Sequence, residues 1–142
     1  MIRLAAFVAA CSALAVAQSA SSVQTVLSRT TSFSDVAVSP DGSRTAWIQS
    51  KQGEPGRLHV GAKEVQLKAT PRGEDSEPAF SPDGRQLAFF STAGSRDGDQ
   101  KQLFVGTTPR SRLNGYAARP RWSHDGRRIA FLYIEGAGGV VL

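Results

Sequence analysis

The chain has 142 residues, with 17 Lys and Arg against 12 Asp and Glu, for a formal charge of +5. That length fits one ordinary domain. The only cysteine is Cys11; if it is removed with an N-terminal leader, the rest of the chain can form no disulfide and no thiolate metal site.

Residues 1–20 read as a secretory signal peptide. Arg3 supplies a positive start, residues 4–16 are almost wholly small or apolar, and Ala15-Val16-Ala17 is a small-x-small cleavage pattern followed by Gln18-Ser19-Ala20. The apolar run falls short of the roughly 20 residues that a helix needs to cross a bilayer, so no membrane span is expected. Val8-Ala9-Ala10-Cys11 has the form of a lipoprotein cleavage site. Cutting there leaves only residues 4–10 as the apolar region, which favours ordinary cleavage near Ala17 or Ala20. The expected location is secreted or periplasmic. A secreted domain without disulfides must hold itself together by burial, which suits an envelope or periplasmic protein.

Beyond the leader the chain repeats itself. "SPDGSRTAWI", "SPDGRQLAFF" and "SHDGRRIAFL" begin at Ser39, Ser81 and Ser123, so Asp41, Asp83 and Asp125 fall 42 residues apart. Gly42, Gly84 and Gly126 share a column, as do Ala46, Ala88 and Ala130. The next column is aromatic throughout: Trp47, Phe89, Phe131. Agreement over so many columns makes the chain an array of repeats.

In each repeat a short extended segment, Pro78-Ala79-Phe80-Ser81 in the second copy, leads into a turn. Pro presets its first central position, Asp bonds its own backbone at the second, and Gly takes the left-handed position. The returning strand, residues 86–91, is apolar on both faces, with Leu87 and Phe89 on one side and Ala88 and Phe90 on the other. Such a strand belongs in a sheet covered on both sides. Third strands are expected at residues 57–60 and 102–106, with Leu58 equivalent to Leu103. Weaker fourth strands are expected at residues 63–67 and 111–113. Four short antiparallel strands in roughly 40–45 residues match one blade of a β-propeller. The expected fold is therefore all-β. Residues 30–142 should form an incomplete β-propeller of about two and a half blades, near 33–70, 76–114 and a truncated 118–142. Two open blade faces imply a segment of a longer protein or a truncated gene model, with further C-terminal blades as partners.

"PAFSPDGRQLAFF" and "PRWSHDGRRIAFL" resemble the TolB-like, WD-repeat-like propeller repeat, Pro-x-Trp-Ser-Pro-Asp-Gly followed by Ile-Ala-Phe; the first copy, "VAVSPDGSRTAWI", lacks the leading Pro. The resemblance covers residues 33–135. Two families share this repeat. In secreted prolyl oligopeptidase family serine peptidases, an N-terminal propeller screens or places peptides for an α/β-hydrolase domain. In periplasmic TolB proteins, the propeller binds envelope partner proteins and catalyses nothing. A leader running almost directly into repeats looks more like the first, because TolB proteins carry a separate α/β domain before the propeller.

The chemistry of the residues is sparse. A hydrolase of that kind needs a Gly-x-Ser-x-Gly elbow, and Ser43 and Ser95 follow glycines without that pattern. His59 falls in an expected third strand and His124 in a turn, neither beside a nucleophile. Glu74, Asp75, Ser76 and Glu77 form an acidic group that reads as an anchor for an amino group or cation, or as a solvated inter-repeat loop, the latter favoured. Asp97 and Asp99 echo a calcium loop but lack its spacing and terminal Glu. The basic cluster Arg110, Arg112, Arg119, Arg121, Arg127 and Arg128 reads as solvated surface, so no nucleic acid partner is expected. No catalytic, cofactor-binding or metal-binding residue is assigned, and no cofactor is expected.

Overall fold

Apolar side chains on both faces of one strand need a neighbouring layer on each side, and the arrangement of the chain follows from that. The structure, a computed structural model, describes residues 30–69, 72–95 and 100–136; the expected leader and Cys11 lie outside them. These residues form ten strands and no helix. Strands β1 (Thr31–Val38), β2 (Thr45–Lys51), β3 (Arg57–Val60) and β4 (Lys63–Glu64) make the first sheet. Strands β5 (Asp75–Phe80), β6 (Leu87–Ser91), β7 (Gln102–Val105) and β8 (Thr108–Pro109) make the second, and β9 (Gly115–Trp122) with β10 (Ile129–Glu135) the third. All pairings are antiparallel and follow chain order. None of the sheets is closed.

The second sheet lies between the other two. Phe89 is fully buried against Ala46, Ile48 and Leu58 of the first sheet and stacks on Phe104, with ring centres 5.6 Å apart. Its neighbour Phe90 points the opposite way, into a second cluster with Leu103 and Ala117, and meets Phe131 of the third sheet edge-on at 5.7 Å. In the second and third repeats, therefore, the aromatic column (Phe89, Phe131) faces the preceding sheet. The flanking columns (Ala46 and Ile48; Ala88 and Phe90) face the following one. The outermost faces remain open: Phe33 is 63% exposed on the first sheet, and Leu132 and Ile134 are 55% and 60% exposed on the third.

Two expectations need correction. The fourth strand of the second repeat is Thr108–Pro109, earlier than residues 111–113. Gly106, at φ 60°, turns the chain back at once, so Val105 pairs with Thr108 across a two-residue loop. Gly61 does the same for Val60 and Lys63, and β4 stops at Glu64, short of residue 67. The first strand of each repeat also starts earlier than expected, because a bulge near its middle hides its alternation. The three-residue offset between third strands holds: Ile48 pairs with Leu58, and Phe90 with Leu103.

Phe89→Ala should cost about 3–5 kcal/mol, the range for emptying a buried phenylalanine site. Chemical denaturation of the variant against the parent chain measures it; a loss under 1 kcal/mol would contradict the burial described.

Candidate functional site: a ladder of bulged residues

The repeated turn is built the same way each time. The Ser39 carbonyl accepts the Gly42 N–H at 2.8 Å, and the Ser39 hydroxyl donates to Asp41 Oδ1 at 2.5 Å while accepting the Arg44 N–H at 2.9 Å. Asp41 Oδ1 also takes the Ser43 N–H at 3.1 Å. Ser81 with Asp83, and Ser123 with Asp125, reproduce the set. The glycines sit at φ 71°, 66° and 67°, where glycine is at ease. The turns nest: a Cβ on Gly84 would lie 3.5 Å from Pro40 Cδ, and one on Gly126 3.6 Å from Pro82 Cδ. These aspartates do turn chemistry, as the spacing implied. The serine hydroxyls hold their carboxyls ionised: Asp41 is lowered from its ordinary 3.8 to about 2, with the Ser39 bond the largest cause. Asp83 and Asp125 are lowered too, chiefly by Ser81 and Ser123.

The acidic group before the second turn divides. Glu74 is exposed, but Asp75 is 1% exposed, so the solvated-loop reading fails for it. Its carboxylate accepts the Leu58 N–H at 3.0 Å, the Ser91 hydroxyl at 2.7 Å and Arg72 Nη2 at 3.0 Å. Arg72 continues to the Val65 carbonyl at 2.9 Å. Asp75 thus bolts the first sheet to the second, a paired buried charge whose loss would strand its partners. The other copies carry Phe33 and Ala117 at this position, so the bolt is not part of the repeat.

Glu77 belongs to something the sequence reading missed. In every first strand two residues oppose a single aromatic: Asp35 and Val36 face Trp47, Glu77 and Pro78 face Phe89, Arg119 and Pro120 face Phe131. The first residue of each pair has a positive φ, 48° at Asp35, 55° at Glu77 and 58° at Arg119. Non-glycine residues in that region cost of order 1–3 kcal/mol each, which marks a site held by its surroundings. What holds it is a ladder. Asp35 Oδ2 accepts the Glu77 N–H at 3.2 Å, and Glu77 Oε2 accepts the Arg119 N–H in a short bond, each across 42 residues. Glu77 Oε1 meets Lys101 Nζ at 3.7 Å. A cleft of about 200 Å³ runs along the ladder, with Pro78, Pro120 and Arg121 in its walls.

The remaining candidates lie elsewhere. His59 stacks on Trp47 at 5.8 Å on the open face of the first sheet, and His124 occupies the third turn. Ser43 donates its hydroxyl to Asp41 at 2.7 Å. Arg110, Arg112, Arg127 and Arg128 are exposed. Asp97 and Asp99 lie outside the described residues. Among the described residues no group of three or more His, Cys, Asp or Glu could hold a metal ion, and no helix is long and apolar enough to cross a membrane. No protein-family model matches the chain, and no curated protein matches it.

Two outcomes test this geometry. Lowered folded-state pKa values mean that the turn carboxylates stabilise the fold above about pH 4, and that this is lost as pH falls from 3.8 towards about 2. Thermal unfolding midpoints of the D41N, D83N, D125N triple variant should fall less steeply across that window than those of the parent; equal slopes would contradict it. Glu77→Ala should cost about 1–2 kcal/mol by loss of its charged hydrogen bond, with Glu77→Gln recovering part, as read by urea denaturation.

Proposed function

We propose that the chain is a β-propeller segment, one blade per 42-residue unit, and that it screens or places peptides for the catalytic domain of a secreted prolyl-oligopeptidase-like serine peptidase, contributing no catalytic group of its own. The observation that carries this reading is the ladder. Asp35, Glu77 and Arg119 join the first strands of three successive sheets by one repeated step, as the innermost strands around a propeller channel would be joined. Polar and charged side chains along such a wall meet whatever passes through it. The strained backbone at each step favours a surface built to be used. The peptidase assignment itself rests on the resemblance of the phrase "PRWSHDGRRIAFL" to the repeats of that family.

Fluorophosphonate labelling of the secreted protein from its native source, captured with an antibody against residues 30–136, tests the reading. A labelled serine outside the 142-residue sequence is expected. An unlabelled protein that brings down an envelope protein would overturn it in favour of the TolB-like, partner-binding alternative.

A further inference from the structure

The ladder reverses sign at its third step. At the first two steps the side chain is a carboxylate, and each one is engaged, Asp35 by the Glu77 N–H and Glu77 by both the Arg119 N–H and Lys101. At the third step it is Arg119, which has no acceptor to offer a following amide. Two residues on, Arg121 lines the same cleft; its only side-chain hydrogen bond among the described residues is a long 3.4 Å one to the Pro120 carbonyl. Neither guanidinium has a carboxylate within 4.0 Å among the described residues, although two acids stand in the same cleft. The acids are directed to backbone amides and to Lys101, whereas both arginines are exposed.

We propose that Arg119 and Arg121 form a binding site for a carboxylate carried by a peptide. The chemistry is that of two planar forks, each able to give a carboxylate two parallel N–H bonds. The surroundings suit it. Pro120 is buried, and its fixed φ holds the strand rigid between the two arginines. The size limits the ligand. Whole drug-sized ligands need cavities of about 300–1,000 Å³, and a cleft of about 200 Å³ takes one residue-sized group with its carboxylate. That group is the C-terminal residue of a peptide or an acidic side chain within one. The proposal deepens the peptide-screening reading and rests on it only for the peptide as the source of the carboxylate.

The test is fluorescence anisotropy of dye-labelled tetraalanine on the full chain, as free acid and as C-terminal amide, with an amidated peptide carrying one glutamate as a third probe. The free acid should bind at least tenfold more tightly than the plain amide, and Arg119→Gln and Arg121→Gln should each remove most of that difference. Arg85→Gln, a basic residue away from the cleft, should leave it unchanged. Equal binding by the glutamate-bearing amide would assign the site to side-chain carboxylates and still support it. Equal binding of acid and plain amide, or a difference that survives both arginine variants, would overturn the proposal. Displacement by acetate at the concentration of the peptide would overturn its peptide part. Arg119→Gln keeps the positive φ and is the variant at risk of misfolding; Arg121 lies in regular strand beyond the bulge, so Arg121→Gln preserves the test. Failure here with a positive fluorophosphonate result would remove the cleft and leave the peptidase reading standing.

Discussion

Phe89 and Phe90 stand next to each other on one strand and point to opposite faces of it, and no two-layer arrangement buries both. Both are fully buried, one in each of the two apolar clusters. That single requirement places a sheet on either side of β6 and makes the second repeat the centre of the stack. The first and third sheets then need only one apolar face each for the packing seen, and their outer faces carry Phe33, Leu132 and Ile134 in the open.

A common step between sheets imposes a second requirement: whatever joins one repeat to the next must recur at the same spacing. Three contacts meet it. The Gly of each turn nests over the Pro of the turn before, at 3.5 and 3.6 Å. The aromatic column packs on the flanking columns of the previous repeat. The acid at each of the first two bulges reaches the amide at the next. The bulge and the aromatic opposite it are one device, since the two residues that face a single large ring lift the backbone N–H out of the ladder of its own sheet and offer it to the neighbouring repeat. Asp75 adds a contact between the first and second sheets that does not recur.

Much of this was legible in the residues and some was not, for physical reasons. The turns were legible because Pro, Asp and Gly each have a local reason to be there; only the role of Ser39, Ser81 and Ser123 as the hinge of the hydrogen-bond set went unread. The two-sided burial of β6 was legible because an unbroken apolar run cannot alternate. The burial of Asp75 was not, because its partners come from residues 58, 72 and 91, which no local pattern links to it. The bulges were hidden because an inserted residue breaks the alternation by which a strand is recognised. A signal did exist: Asp35, Glu77 and Arg119 share a column, and two of them precede proline. β8 was misplaced because Gly106 turns the chain within two residues, before the polar stretch that looked like a strand.

If two-sided burial of β6 organises the stack, protection from solvent must be highest there and fall towards both ends. Amide hydrogen exchange on the 142-residue chain tests this most directly. The slowest exchange should fall at Ala88, Phe89 and Phe90, with the paired amides of β1 and β10 exchanging through smaller, local openings. Protection in β1 or β10 equal to that of β6 would contradict the account.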